Sequence, residues 1–336
     1  MGSRKEVVML SQGSGGQAMR ELIEDVFIAA YGDAQSPRDD SAVLSVPECD
    51  LAFTTDSFVV DPMFFPGGDI GRLAVAGTVN DILTAGARPI AISASFIIEE
   101  GLDVQTLRAV ADSMRDTARE ANVQIVTGDT KVVARRSADK LFITTSGIGV
   151  VLRPGISGGS ARAGDRVILT GSIADHGMAV MLAREGLLES EEIESDVAPL
   201  TEIVTNLLEA GCEIHAMRDP TRGGIGSALN EIAVQSGVCV EIDENAVKVN
   251  APVRAACEAL GIDPFYVANE GKMLVFVAPK DATRAVMIVR ACRHGEDAQI
   301  IGEVRATPPG RVQVRTSLGT ARLLPVPSGE LLPRIC

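Results

Sequence analysis

The last residue of the chain is a cysteine, Cys336, which ends the sequence LLPRIC. We expect a thiol at this place to lie outside any core, where a free cysteine is open to oxidation. Three prolines and a glycine after residue 324 oppose both helix and central strand. Residues 324–336 are therefore predicted to form a mobile tail, and the twelve residues from Pro325 could carry the thiol ~40 Å when extended.

Acidic residues recur in loops after predicted strands and in helix turns of the chain. They occur in the segments RDDSAVL, FTTDSF, TVNDIL, VTGDTKVV, MRDPTRGGIG and VANEGKM. Because Mg²⁺ prefers hard oxygen ligands and keeps phosphate oxygens in its shell, convergence of these loops would hold Mg²⁺ against a triphosphate. Any one aspartate is more simply a turn former or helix cap, so the prediction depends on the repetition. The candidate metal ligands are Asp40, Asp56, Asp81 and Asp129.

A glycine-rich loop, GSGGQA, precedes the first predicted helix. Gly13, Gly15 and Gly16 could hold phosphate through backbone N–H groups at the helix start. The loose G-x-G-x-x-G/A pattern does not indicate a Rossmann fold, because no strand ending in an acidic residue follows about 20 positions on. No P-loop motif occurs in the chain.

Predicted strands and helices alternate at a similar rhythm in both halves of the chain. The segment RPGISGGSARAGD, rich in Gly, Ser and Pro, is the best predicted boundary between them. We predict a mixed α/β protein of two domains, residues 1–153 and 154–323, followed by the tail of residues 324–336. In the helix predicted near 176–186, Asp175 is expected to be a cap, and no role is assigned to His176.

Composition excludes several classes of protein. A net charge of −14 without clustered Lys or Arg argues against nucleic-acid binding. No apolar run approaches the ~18 residues of a membrane helix, and the N-terminus lacks the apolar segment of a signal peptide. The six cysteines show no C-x-x-C spacing, and Cys239 and Cys257 lie in apolar segments that predict burial. These features favour a protein of the reducing cytoplasm.

The ordered set of motifs resembles the superfamily of aminoimidazole ribonucleotide synthetase, selenophosphate synthetase and thiamine-monophosphate kinase. Within it, the chain is most similar to the HypE hydrogenase maturation proteins. The resemblance covers nearly the whole chain and depends on GSGGQAM, FTTDS, PMFFPGGDIGRLAVAGTVND, VTGDTKVV, RDPTRGG, NEGK and the terminal PRIC.

The resemblance implies an N-terminal sheet that pairs across a homodimer and a C-terminal α/β domain folded against it, with ATP and Mg²⁺ between them. It also implies the reaction. A carbamoyltransferase partner, HypF, places a carbamoyl group on Cys336. ATP then drives its dehydration to a thiocyanate, and a HypC–HypD scaffold accepts the cyanide for the iron of nickel–iron hydrogenase.

Matching positions suggest roles for individual residues. Cys336 is the carrier, while Lys131 and Glu270 are candidates for orienting and deprotonating the carboxamide. Lys131 could equally be a phosphate clamp, and Glu270 a magnesium ligand or a helix-start carboxylate. The remaining nucleotide-binding candidates are Thr127, Gly128, Asp219 and Thr221.

Two alternatives to this function stay open at the level of sequence. One is another ATP-dependent synthetase or kinase of the superfamily, which would leave the terminal PRIC unexplained. The other is a carrier or scaffold without catalysis. Because the terminal carboxylate disfavours the thiolate, we also expect Cys336 to be sluggish in a free tail and activated when the tail docks.

Overall fold

The computed structural model describes residues 7–9, 21–31, 50–187, 193–325 and 335–336. The helices are α1 (Ala29–Tyr31), preceded by a π-helical segment at Ile23–Ile28, α2 (Ile70–Thr84), α3 (Val104–Glu120), α4 (Asp175–Arg184), α5 (Thr201–Glu209), α6 (Gly224–Ser236), α7 (Ala251–Leu260) and α8 (Ala282–Arg290). The strands are β1 (Leu51–Phe58), β2 (Phe64–Phe65), β3 (Gly68–Asp69), β4 (Ala87–Glu99), β5 (Gln124–Val133), β6 (Leu141–Val151), β7 (Arg166–Leu169), β8 (Ile214–Arg218), β9 (Cys239–Asp243), β10 (Leu274–Val277), β11 (Gln299–Arg305), β12 (Arg311–Arg315) and β13 (Ala321–Leu323).

The first domain is built on a four-stranded sheet in the order β1-β6-β4-β5, in which β4 and β5 run parallel and the other pairs antiparallel. Helix α2 covers one face of this sheet. Asp69 begins the helix, since its carboxylate accepts hydrogen bonds from the N–H groups of Gly71 and Arg72 at 2.6 and 3.1 Å. Small residues let α2 approach the sheet closely: a Cβ on Gly77 would lie 3.0 Å from the Phe58 ring.

The second domain is a seven-stranded sheet in the order β13-β12-β9-β11-β7-β10-β8, with β9 and β12 parallel. Alternate residues of β10 enter different cores, as expected for a strand buried on both faces. Leu274 and Phe276 pack in the cluster that contains α6, whereas Val275 and Val277 pack with α5 and α8. The sheet is therefore covered by helices on both sides.

The two domains share one hydrophobic cluster, so their relative position is fixed by packing. Asn80 on α2 strengthens this junction. Its side chain donates to the carbonyls of Ala198 and Glu270 at 3.0 and 3.3 Å and accepts from the N–H of Leu200 at 2.9 Å. The C-terminal half of α2 thus meets the loop before β10 across the domain junction.

Most predicted elements occur close to their expected places, including the helix predicted near 176–186, observed as Asp175–Arg184. The described cysteines are unpaired, and Cys239 and Cys257 are buried as predicted. Leu324, assigned to the tail, is instead buried, and its N–H donates to the carbonyl of Val312. Across the described ranges, no helix combines the length and apolar character needed to cross a bilayer.

Candidate active site

Three carboxylates converge where β1, α2 and the loop after β8 meet. Asp56 lies near the end of β1, Asp81 lies on α2 and Asp219 follows β8. Burial and the nearby carboxylate of Asp81 raise the pKa of Asp56 to about 6. Burial, followed by the charges of Asp81 and Asp56, raises the pKa of Asp219 to about 7. Like charges near one another disfavour ionisation, so each of these two carboxyls holds its proton to higher pH than an isolated aspartate does.

A cavity of about 440 Å³ opens beside these carboxylates, within the range of small-molecule sites. Asp81, Asp219 and Thr221 line it together with Ala52 and Thr54 of β1. The Thr54 hydroxyl donates to Asp81 Oδ2 at 2.8 Å, which fixes that carboxylate. The structure therefore brings Asp81, Asp219 and Thr221, three of the predicted nucleotide-binding residues, to one cavity.

The segment RDPTRGG forms the turn that enters α6. Thr221 N–H donates to Asp219 O, and Gly224 N–H donates to Thr221 O. Gly224 adopts a positive φ of 59°, and a Cβ there would come within 2.6 Å of the carbonyl oxygens of Phe265 and Val267. Close backbone approach therefore requires this glycine, and the turn places Thr221 at the cavity.

Glu270 is the most unusual carboxyl in the described part of the chain. Its side chain is 3% exposed, and its Oε1 has no hydrogen-bond partner among the described residues. Burial, followed by the charges of Asp219 and Asp196, raises its pKa well above the ordinary value. Its backbone, in contrast, is fixed, since the N–H groups of Glu270 and Gly271 donate to the buried Asp196 carboxylate at 3.1 and 3.4 Å.

The terminal thiol lies at this same site. Cys336 is half-buried and packs against the shared hydrophobic cluster, so the expectation that it has no packing role is wrong. Burial and the charge of Glu270 raise its pKa to about 12, with Asp56 adding to the effect and Arg222 opposing it. The expectation that docking activates the thiol is also wrong for this geometry, because the docked sulfur is desolvated among carboxylates.

A buried histidine holds the residue before the thiol. His176 Nε2 lies 2.9 Å from the carbonyl oxygen of Ile335, and its Nδ1 lies 2.7 Å from Ser195 Oγ. The expectation that Asp175 caps α4 is wrong, because its carboxylate instead accepts from Ser172 Oγ and Asn250 Nδ2 at 2.5 and 2.8 Å. Asp175 therefore links the start of α4, where His176 lies, to Ser172 and Asn250.

The predicted residues of β5 lie on the other side of the first sheet. The strand register aligns Asp56 with Thr145, Thr145 with Ala94 and Ala94 with Gly128, all on the face covered by α2. Asp129 and Lys131 project to the opposite, open face, as does Thr127. Within one chain, these residues are therefore separated from Glu270 and Cys336 by the sheet itself.

Gly128 has a structural explanation. A Cβ at this position would lie 2.1 Å from the carbonyl oxygen of Ala94 on the neighbouring strand β4. Only glycine permits this approach of the two strands.

The predicted set of four aspartate ligands is not assembled in the described part of the chain. Asp40 lies outside the described residues, as do Gly13, Gly15 and Gly16, and Asp129 faces away. Among the residues described, no group of three His, Cys, Asp or Glu side chains could hold a metal ion by itself. Two carboxylates together with phosphate oxygens are the usual ligands of nucleotide-bound Mg²⁺, and the cluster around Asp56 and Asp81 suits that mode.

Several residues of the site were missed by sequence reasoning. His176 contacts the chain end, and Ser195 contacts His176. Hydrogen bonds of three further residues hold the loop that carries Glu270: Asp196, Asn80 and Asn269. Asn80 and Asn269 stand next to predicted acidic residues in TVND and ANEG, which was the available signal. Ser195 and Asp196 lie in a segment with no motif, so nothing in the sequence marked them.

Comparison with known proteins agrees with this architecture. Residues 38–151 match the N-terminal domain and residues 162–315 the C-terminal domain of the AIR synthase related proteins. A curated relative named carbamoyl dehydratase HypE, from Azotobacter vinelandii, is 48% identical over 99% of this chain and 98% of its own length. The chain belongs to the HypE family. The HypE of Escherichia coli K12 is 42% identical over 98% of the chain and 99% of its own length.

Solved structures of the HypE family superpose over nearly the whole chain. A HypE crystal structure in complex with ATP has a TM-score of 0.93 at 47% identity, covering 98% of this chain and 99% of that one. A HypE–HypF complex has a TM-score of 0.80 at 45% identity, with 93% and 100% covered. A thiamine-monophosphate kinase from Stenotrophomonas maltophilia, 16% identical with a TM-score of 0.67, shares the fold alone.

Proposed function

We propose that the protein is an ATP-dependent carbamoyl dehydratase of hydrogenase maturation and that the carbamoyl group is carried on the sulfur of Cys336. The observation that supports this most directly is the docked chain end. Cys336 lies close enough to the Glu270 carboxyl and to Asp56 for both to raise its pKa, and Oε1 of Glu270 has no hydrogen-bond partner among the described residues. A carrier, a proton acceptor and an acidic site for nucleotide-bound cation are thereby combined.

The proposed reaction converts R–S–C(=O)–NH₂ into R–S–C≡N and consumes one ATP. The carbamoyl oxygen accepts the terminal phosphoryl group, with release of ADP, and a base removes one amide proton. The C–O bond then breaks with its electron pair on phosphate, which also takes the second proton. Hydroxide is a poor leaving group, and phosphorylation of the carbamoyl oxygen replaces it with phosphate, which leaves more easily. Asp56, Asp81 and Asp219 would hold Mg²⁺ bound with ATP, and the ion would neutralise charge on the transferring group.

Glu270 is the base in this proposal. Its raised pKa makes it a better proton acceptor than an ordinary carboxylate, and its free Oε1 is available to the amide N–H groups. Its backbone hydrogen bonds to Asp196 hold the carboxyl in place without occupying it. Truncation to alanine at Asp196 would release this loop, so we assign Asp196 a positioning role.

We further propose that the protein acts as a homodimer and that Asp129 and Lys131 serve the site of the partner. The open face of the first sheet supports this proposal. It carries Phe53, which is 71% exposed, and Ile97, which is 41% exposed and aligned with Lys131. Hydroxyl pairs such as Ser57 with Thr144, 3.0 Å apart, complete an amphipathic surface typical of an interface. The phosphate-clamp role of Lys131 fits a residue that reaches nucleotide from across the dimer.

The proposal separates loading of the thiol from dehydration. With a pKa of about 12, the docked Cys336 is a poor nucleophile, so carbamoylation by a HypF-type partner requires the chain end to leave the site. Once the sulfur is acylated, no thiolate is needed, and the desolvated site suits dehydration. Transfer of cyanide to a HypC–HypD scaffold would again require undocking.

Phosphate release from the carbamoylated protein tests the proposed reaction. We expect one phosphate per carbamoyl group in a single turnover with Mg-ATP, and none from unmodified protein. Cys336→Ala should abolish this release, while the matched control Cys292→Ala, at a buried cysteine that bonds to Asn206 on α5, should retain it. A Cys336→Ala variant that still releases phosphate at the carbamoyl-dependent rate would contradict the proposal.

A further inference from the structure

We propose that His176, supported by Ser195 and Phe65, is a latch that holds the peptide group joining residues 335 and 336 and thereby positions the sulfur of Cys336. The dehydratase reaction described above gives His176 no chemical role, although its ring is fully buried. The inference rests on the proposed function only for the reaction that the latch serves.

The hydrogen bonds of His176 define its tautomer. The Ile335 carbonyl is only an acceptor, so Nε2, 2.9 Å away, carries the hydrogen. Nδ1 must then accept from the Ser195 hydroxyl at 2.7 Å, and that oxygen accepts from the N–H of Val197 at 3.1 Å. Burial lowers the pKa of His176 and keeps the ring neutral. Both ring nitrogens are occupied, so His176 is a donor to the chain end and is not a general base.

The ring is also fixed by its packing. Phe65 meets it edge-on, with ring centroids 5.4 Å apart and planes at 86°. Ser195 is itself fixed, because its N–H donates to the carbonyl of Pro66 at 2.8 Å. At the base of α4, Gly177 N–H donates to the carbonyl of Ala268 at 3.1 Å. The donor is therefore oriented before the chain end arrives.

The bound chain end is recognised by two features. The carbonyl of Ile335 bonds to His176, and its side chain, 3% exposed, packs in the cluster shared by both domains. The held carbonyl belongs to the peptide bond that joins residues 335 and 336, so only φ and χ1 of Cys336 separate it from the sulfur. Fixing this peptide group therefore sets the depth of the thiol relative to Glu270.

Two rates on the full-length protein test the latch: alkylation of Cys336 by iodoacetamide, and single-turnover dehydration of pre-carbamoylated protein. His176→Phe keeps an aromatic ring beside Phe65 but removes the donor. Loss of one buried hydrogen bond shifts docking by roughly 3- to 10-fold. We expect alkylation to become faster and dehydration slower by that factor. His176→Gln, which keeps an N–H donor, should restore much of both rates.

Controls separate the latch from general damage. His294→Phe, a histidine bonded to Glu120 elsewhere, should change neither rate. The buried Cys212, Cys239, Cys257 and Cys292 should stay unreactive. If His176→Phe makes these cysteines reactive, Ile335→Ala replaces it as the test variant. We expect faster alkylation and slower dehydration in that variant too.

Unchanged rates in a folded His176→Phe variant, or in Ile335→Ala where that variant is used, would overturn the latch. A different result would separate the two proposals. If alkylation is faster in His176→Phe but the wild-type protein never dehydrates the carbamoyl group on Cys336, the latch is supported and the proposed function is overturned.

Discussion

The carboxyl group of Glu270 acts directly on the thiol of Cys336, and after burial it is the largest cause of the rise in the pKa of that thiol to about 12. The two groups belong to different structural units, the loop before β10 and the chain end. Their proximity makes the docked cysteine a poor nucleophile and a well-placed carrier. It also places the thiol near the carboxyl whose Oε1 has no hydrogen-bond partner among the described residues.

Replacing Glu270 by Gln should slow dehydration and lower the pKa of the Cys336 thiol. We expect the single-turnover rate to fall by ~10²–10⁴-fold, the usual contribution of a positioned base. Because the Glu270 charge raises the pKa of Cys336, its removal should move the pH profile of Cys336 alkylation to lower pH. Glu258→Gln, an exposed carboxyl on α7, is the matched control and should change neither quantity. Full dehydration by Glu270→Gln would exclude Glu270 as the base.

The acidic cluster should make the nucleotide-free protein less stable as the pH rises. The pKa of Asp56 is about 6 when folded and near 3.8 when unfolded, so the folded state binds more protons between these values. The stability due to this group is therefore present below pH 4 and lost as the pH rises through 6. Asp56→Asn should raise the free energy of unfolding by about 1–2 kcal/mol at pH 8 and have little effect at pH 4.

Urea unfolding at both pH values, without divalent cations, measures this difference. Asp50→Asn, at an exposed carboxylate, provides the control. A stabilisation by Asp56→Asn that is equal at pH 4 and pH 8 would argue against charge repulsion as its cause. With Mg²⁺ and ATP present, Asp56→Asn should no longer have a higher free energy of unfolding than the wild type at pH 8, because bound cations would neutralise the cluster in the wild type.

A charge placed on the open sheet face should break the proposed dimer. Ile97→Asp introduces a charged carboxylate on that face, opposite Lys131 and diagonal to Asp129, where it would be buried in the interface. We expect sedimentation to show a shift from dimer to monomer at micromolar concentration. Met287→Asp, on an apolar side chain that is 68% exposed on α8, should leave the mass unchanged. Dimers that persist in Ile97→Asp would place the interface elsewhere.

Mixed dimers test whether Lys131 acts across the interface. Glu270→Gln and Lys131→Ala are each expected to be inactive as homodimers. If Lys131 serves the partner's site, a heterodimer of the two contains one intact site, and purified heterodimers should recover up to half of the wild-type activity. If Lys131 acts within its own chain, every site carries one defect and no activity returns.

Much of the fold could be predicted because its signals are local. The apolar spacing of α3 and the glycines and prolines between elements mark boundaries that need no tertiary information. Strand β8 and helix α7 were not predicted. Every residue of β8 from Ile214 to Met217 is buried, His215 included, so its sequence does not alternate.

The site was predictable only in part, because it depends on which face each residue occupies. Motifs identified Asp56, Asp81, Asp219, Glu270 and Cys336, which the structure brings together. Asp129 and Lys131 carried an equally clear motif, yet one step along β5 reverses the direction of a side chain, and the pairing of Gly128 with Ala94 decides it. His176 was missed because its role depends on a long-range contact with Ile335.

Intact mass spectrometry of the protein tests the central claim most directly. Incubated with a carbamoyl donor system alone, the protein should gain the mass of one carbamoyl group, and peptide mapping should place it on Cys336. Addition of Mg-ATP should then remove the mass of one water from that adduct. A carbamoyl adduct on Cys336 that persists unchanged with Mg-ATP, or an adduct on another residue, would contradict the claim that this site dehydrates a group carried by the terminal thiol.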